Sequence, residues 1–291
     1  MDEPEMHATP REITLTVHGR DVAAQVWGRA GGTRVLALHG WLDNAASFSR
    51  LAPLLRDVEL VAIDFPGHGL SAHLPDGCWY HYIDSIDEVL GVLDALGWSR
   101  AILLGHSMGA ATASLVAATR PDLIEALWLI EALGPLSTEP DQALQQLRRA
   151  HTQRSERGAR GLRTFSSLAD AVAARQQGVS GLSSAAAMLL VERGTRAVAG
   201  GWQWSSDPRL TLASPQRATQ AQIVVCLRGI DCPTLVVLAE PAATFLPPAM
   251  IAERAAAVAD ITVVRLPGTH HVHLEDPEPV AAAIAAFRAR G

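Results

Sequence analysis

Ala101-Ile102-Leu103-Leu104-Gly105-His106-Ser107-Met108-Gly109-Ala110-Ala111-Thr112-Ala113 is the stretch that decides the fold. Its first four residues are a short apolar run of the kind covered on both faces of a sheet, and its last four begin a helix of small residues. Between them stands Gly-x-Ser-x-Gly, whose glycines permit a sharp strand-to-helix turn that exposes a serine hydroxyl above the sheet. The pentapeptide alone is weak evidence. A strand before it and a helix after it make Ser107 a candidate nucleophile.

Working outward, residues 35–38, 60–63, 126–130, 233–238 and 261–266 repeat the apolar pattern of buried strands. Residues 12–17 instead alternate Ile13, Leu15 and Val17, and with 22–27 they read as an antiparallel edge hairpin. Helices fit between, over 84–96 before Gly97, 110–119 before Pro121, 248–258 and 279–288. After Gly134-Pro135 the chain turns rich in Gln, Arg, Ala and Ser up to about residue 222, a stretch that reads as several helices without a buried strand. The expected fold class is α/β: a mostly parallel eight-stranded sheet flanked by helices, formed by 1–133 and 223–291, with a helical cap or lid, 134–222, inserted after the sixth strand.

Bulk composition removes other classes. Apolar residues make up 48% and charged residues 19% of the 291, the balance of a chain that buries a core. The net charge is −6 and no dense basic block is present, so nucleic acid is not an expected partner. No run approaches the roughly 18 uncharged apolar residues of a membrane span, and Met1 to Arg20 lacks the apolar core of a signal peptide. Cys78, Cys226 and Cys232 have no metal-ligand spacing and fit reduced thiols in the cytoplasm. A homodimer is compatible with the composition.

A serine hydroxyl needs a base within hydrogen-bond reach and a third group that fixes the base's tautomer. The loop Gly268-Thr269-His270-His271-Val272-His273-Leu274-Glu275-Asp276-Pro277 follows the last strand, where the base belongs, and three histidines compete there. Those not serving as base are expected to be solvated or bonded to backbone. A zinc cluster of His270, His271 and His273 is not expected, because no Cys or His pair elsewhere has ligand spacing. Leu38-His39-Gly40-Trp41 ends an early strand at a sharp turn, so the Trp41 amide, with the Met108 amide, is a candidate oxyanion hole. Asp64-Phe65-Pro66-Gly67-His68-Gly69-Leu70-Ser71 reads as a rigid scaffold turn. Phe165, Leu168, Met188, Leu189, Trp202, Trp204 and Leu210 are either an apolar wall for a substrate or the core of the cap.

With His39-Gly40-Trp41, the Asp64 to Ser71 turn, Gly105 to Ala110 and the His270 to Pro277 loop in this order, nearly the whole chain resembles the α/β-hydrolase superfamily. Within it the chain is most similar to the serine-hydrolase-like proteins, through Leu190-Val191-Glu192-Arg193-Gly194, Trp204-Ser205-Ser206-Asp207-Pro208-Arg209-Leu210 and Gly268 to His273. The resemblance implies His270 as base, because in relatives the catalytic histidine stands seven residues before the loop's proline. Where many relatives carry Gly-x-x-Asp, this chain has Ala239-Glu240-Pro241-Ala242. Some members, including certain haloalkane dehalogenases, place the acid at the end of the strand after the nucleophile helix, which implies Glu131, with Glu240 as its rival. A carboxylate closing an apolar strand needs a partner such as an imidazole N–H.

The implied activity is hydrolysis of a small-molecule carboxylic ester or thioester with an apolar acyl or alcohol part, through Ser107, His270 and Glu131, with no cofactor and no metal. An acyltransferase, a carbon-carbon bond hydrolase and a ligand-binding module with little turnover are alternatives on the same fold.

Overall fold

The computed structural model describes residues 9–157, 162–178 and 181–290. The first eight residues, part of the Met1 to Arg20 stretch read above as lacking a signal sequence, lie outside the described residues, as do 158–161 and 179–180 of the 134–222 insertion.

Among the described residues, eight strands form one sheet in the order β1-β2-β4-β3-β5-β6-β9-β10. They are β1 (Arg11–Val17), β2 (Arg20–Gly28), β3 (Thr33–Leu38), β4 (Val58–Ile63), β5 (Ala101–His106), β6 (Ile124–Ile130), β9 (Thr234–Glu240) and β10 (Ile261–Pro267). β1 pairs antiparallel with β2, and β2 with β4, while every pairing from β4 to β10 is parallel. The period-2 geometry of a strand explains why the central strands read as unbroken apolar runs. Leu36, Leu38, Leu103, Leu127, Leu129, Val236 and Leu238 point into one core cluster. Their neighbours Val35, Ala37, Ile102, Leu104, Trp128, Ile130, Leu235 and Val237 point into another on the opposite face. The chain thus has an α/β-hydrolase fold.

The helices α1 (Ser85–Ala95), α2 (Met108–Thr119), α6 (Gln220–Leu227) and α7 (Pro248–Ala255) contribute Val89, Val92, Ala113, Val116, Ile223, Leu227 and Ile251 to the first cluster. α8 (Val272–Glu275) and α9 (Pro277–Arg288) supply Val272, Val280 and Ile284 to the second. No helix among the described residues is long and apolar enough to cross a membrane.

Between β6 and α6 the chain leaves the sheet. It forms α3 (Ala143–Arg157), α4 (Leu168–Gln176), α5 (Ser184–Gly194) and a two-stranded hairpin, β7 (Thr195–Val198) with β8 (Gly201–Trp204). The hairpin is an addition to the helices expected there; it turns at Gly200, whose φ of 87° suits a residue without Cβ. Phe165, Ala171, Val172, Leu182, Ala186, Ala187, Leu190 and Val191 form a third apolar cluster that also takes in Leu274 of α8. Leu168, Met188, Leu189, Trp202 and Trp204 pack against it, so six of the seven residues weighed as a substrate wall belong to this segment's own core.

The turn from β5 into α2 is the tightest junction in the fold. Ser107 has φ 51° and ψ −112°, outside the ordinary regions for an L-residue, and is held by its N–H donating to Ile130 O at 2.9 Å. A Cβ on Gly109 would stand 1.9 Å from Leu38 O, and one on Gly105 would stand 2.5 Å from the Ala110 backbone. Alanine at Gly109 should gain about 1 kcal/mol of helix propensity. Crowding against the Leu38 and His39 backbone, costing about 1–3 kcal/mol or more, outweighs that gain. Gly109→Ala is therefore expected to lower the urea midpoint, and an unchanged or raised midpoint would contradict this packing.

Candidate active site

Parallel strands deliver their C-terminal ends to one edge of the sheet, and the loops leaving that edge carry the candidate residues. Ser107 follows β5, Glu131 follows β6 and His270 lies three residues past β10. The structure brings all three together. Ser107 Oγ lies 3.0 Å from His270 Nε2, and His270 Nδ1 lies 2.9 Å from Glu131 Oε2. Since a carboxylate accepts, Nδ1 carries the proton and Nε2 is left to accept from the serine hydroxyl.

Glu131 is 1% exposed and, like Ser107, has a positive φ, of 60°. Its backbone N–H donates to Val237 O at 2.9 Å, and its Oε1 accepts from the Ala239 N–H, so both carboxylate oxygens are partnered. Glu240 is exposed at the end of β9, and the His270 Nδ1 bond goes to Glu131. Phe245 lies edge-on to the His270 ring, with centroids 5.0 Å apart.

The Trp41 amide donates to no backbone acceptor among the described residues. Met108 opens α2, where helix geometry leaves its N–H without an intrahelical acceptor. The loop around Trp41 is pinned from within by His39. This imidazole donates from Nδ1 to Gly40 O at 2.7 Å and accepts the Phe65 N–H on Nε2 at 3.0 Å. Both ring nitrogens are committed to the neutral form, and burial lowers the His39 pKa to about 4. The neighbouring His68, donating from Nδ1 to Pro66 O at 3.2 Å, is likewise lowered by burial, to about 3.

Two of the competing loop histidines are neither solvated nor backbone-bonded. His271 is 3% exposed and donates from Nε2 to Asp43 Oδ2 at 3.0 Å. His273 is fully buried, with Nε2 2.8 Å from Ser47 Oγ. That expectation was wrong because the chain turns inward at His271 into α8, which sets His271 on Asp43 and His273 on Ser47. Asp43 also takes the Arg175 guanidinium on Oδ1 and faces His106 Nδ1 at 3.5 Å. Burial works against its charge, but His271 on Oδ2 and the Arg175 guanidinium on Oδ1 hold its carboxyl well below the usual range. His106 donates from Nε2 to His270 O at 2.9 Å, and burial lowers its pKa to about 3.

The Asp64 turn is a buried scaffold. Asp64 accepts the Ala45 and Leu70 N–H groups at 2.7 and 2.8 Å and is gripped by Arg193 at 3.0–3.1 Å. Arg193 and Arg175 come from the inserted segment, as do the carbonyls of Leu190 and Leu210, which accept from Asn44 Nδ2 and Trp41 Nε1 at 2.9 Å. Sequence reasoning missed Asp43, Arg175 and Arg193. Arg193 lay within a motif used for resemblance, but nothing in its spacing pointed to Asp64.

The chain matches the model of the alpha/beta hydrolase family over residues 35–283. It is 34% identical to a serine hydrolase-like protein of Danio rerio over 295 residues, covering 97% of this chain and 89% of that protein. A solved hypothetical protein of Pseudomonas aeruginosa PAO1 superposes with TM-score 0.90 at 41% identity, covering 99% of this chain and 100% of the other. A thioesterase domain from the curacin biosynthetic pathway gives TM-score 0.81 at 27% identity, with 95% and 99% covered.

The buried neutral histidines set an acid limit on stability. His39 and His68 face one another and lie near Asp64, Asp43 and Arg193. An unfolded histidine takes up its proton near pH 6.5, whereas these two resist to about 4 and about 3. Their contribution is complete above pH 6.5 and is lost as the pH falls through that window, by up to about 1.4 kcal/mol per pH unit for each. The urea midpoint should fall between pH 6.5 and 4. His39→Gln, whose side-chain oxygen can still accept the Phe65 N–H, should flatten that fall by about one proton; an equally steep fall would contradict the assignment.

Proposed function

The chain belongs to the alpha/beta hydrolase family, and on that premise we propose that it is a serine hydrolase that cleaves a small-molecule carboxylic ester or thioester through an acyl-enzyme. The observation that carries the proposal is the continuous chain Ser107–His270–Glu131, at 3.0 and 2.9 Å. Ser107 Oγ attacks the carbonyl as His270 Nε2 takes its proton. Glu131 keeps the second ring proton on Nδ1 and stabilises the imidazolium. The Trp41 and Met108 amides receive the developing oxyanion, a donor pair in which each member is worth about 3 kcal/mol of transition-state binding. His270 then protonates the leaving alcohol or thiol, and water repeats the sequence on the acyl-enzyme.

The apolar preference is supported by Phe245 against the His270 ring and by Trp41, 47% exposed in the loop that supplies one amide. Thioesters are included because a thioesterase domain is among the similar structures at 27% identity. Residues 134–222 act as a cap over this edge, a role supported by their bonds to the Trp41–Asn44 loop. The free Cys78, Cys226 and Cys232 fit a reducing compartment, the cytoplasm.

A series of nitrophenyl esters tests the reading. Wild-type chain should turn over esters of apolar acids and label with a fluorophosphonate. Ser107→Ala should abolish labelling and lower kcat by about 10⁴-fold or more, and Glu131→Gln should lower kcat by about 10²–10⁴-fold with KM little changed. Undiminished turnover by Ser107→Ala sinks the proposal, and undiminished turnover by Glu131→Gln removes that residue from it.

A further inference from the structure

Behind the Ser107–His270 pair, Asp43, His106 and His271 converge in a fully buried group, each offering one ligand atom, with the three atoms within 4.8 Å of one another. We propose that these three side chains bind a single divalent transition-metal ion of the zinc class, and that its binding shuts off the adjacent nucleophile and base. The binding stands on its own; the shut-off rests on the serine-hydrolase reading.

The hydrogen bonds leave an acceptor without a donor at this point. His106 Nε2 points at His270 O, which can accept but not donate, so Nε2 carries the ring proton. Nδ1 of the neutral ring is then a lone pair. It is buried, has no hydrogen-bond partner and faces another acceptor, Asp43 Oδ2, at 3.5 Å. A cation between the two resolves the mismatch. A carbonyl holding the far N–H of a histidine is also the usual outer support of a metal-bound imidazole.

His271 reaches the same oxygen with Nε2 at 3.0 Å, and its own Nδ1, buried without a partner, is free to carry the proton when Nε2 becomes a ligand. Arg175 occupies the other oxygen, Oδ1, and so leaves Oδ2 as the ligand atom. Gly40 keeps one side of the pair uncovered: a Cβ there would stand 2.8 Å from His106 Nδ1 and 3.1 Å from Asp43 Oδ2. Two imidazoles and one carboxylate suit zinc and its divalent neighbours, which draw such ligands to about 2.0–2.2 Å.

Two consequences reach the catalytic pair. His106 precedes Ser107 and His271 follows His270, so drawing the ligand atoms onto one ion moves both neighbours. A dication behind His106, whose ring centroid is 4.9 Å from that of His270, also opposes the imidazolium His270 must become.

The full chain is titrated with cobalt(II) chloride and followed by visible absorption, then with zinc sulfate to displace the cobalt. One cobalt per chain with the absorption of a four-coordinate ion is expected, and fluorophosphonate labelling of Ser107 should fall at least about tenfold on zinc addition and return with EDTA. Asp43→Asn and His271→Gln should each weaken cobalt binding at least about tenfold. Both sites are buried, so circular dichroism checks their folding. If neither folds, Arg175→Gln, which removes a cation from Asp43, should tighten binding about tenfold. Absence of the cobalt band overturns the site, as does a band undiminished in His271→Gln, which would belong to exposed histidines such as His18 and His73, or an Arg175→Gln chain that binds no tighter. Cobalt bound at these residues with labelling indifferent to zinc overturns the shut-off. Cobalt bound in a chain that never labels supports the site and counts against Ser107.

Discussion

The backbone at Ser107 is the constraint from which the arrangement follows. A serine at φ 51° persists only where its surroundings over-determine it. Here β5 on one side, α2 on the other and the Ser107 N–H bond to Ile130 O fix the turn, and the glycines at 105 and 109 remove the atoms that would block it. Because β5 lies between β3 and β6 in the middle of the sheet, the same turn sets where the Gly40 loop and Glu131 can stand. Glu131 repeats the device one strand away, with φ 60° and an N–H bonded across to β9.

A second constraint is the burial of charge. Asp43, Asp64 and Glu131 are at most 3% exposed, and a carboxylate taken out of water is costly unless each oxygen finds a partner. Glu131 finds His270 and a strand amide, while Asp43 and Asp64 draw Arg175 and Arg193 from the inserted segment. Such pairs add little net stability, since desolvation offsets most of the attraction, but separating one partner leaves a buried charge that penalises any other docking. The inserted segment is thereby held in one orientation against the 41–44 loop and the Asp64 turn.

The sheet was legible because its evidence is local. Apolar runs such as 101–104 and 126–130 state double-sided burial in four or five residues, and the Gly-x-Ser-x-Gly turn is punctuated by glycine. Glu131 was legible as a carboxylate closing an apolar strand, but the choice between it and Glu240 came from resemblance, since both end strands. Long-range polar pairing was not legible. Asp43 and His271 are 228 residues apart and Asp64 and Arg193 are 129 apart, distances at which no periodicity links two side chains. The β7–β8 hairpin escaped because four-residue strands with one Trp-Gln-Trp run are too short to separate from helix by pattern.

In the proposed reaction, the choice of one histidine among several as base follows from the same pairings. His270 lies 4.9 Å from His106 and 5.5 Å from His271 between ring centroids, so a proton held by either neighbour would oppose a second on His270. His39, His68, His106 and His273 are all held neutral by burial. Asp43 is already committed to Arg175 on Oδ1 and to His271 on Oδ2, the oxygen that His106 Nδ1 faces at 3.5 Å. Glu131, with Oε1 on a strand amide, gives its Oε2 to His270 alone. The fold therefore gives an undivided carboxylate oxygen, Glu131 Oε2, to the imidazole that also touches Ser107, which in the proposed reaction is where the serine's proton goes.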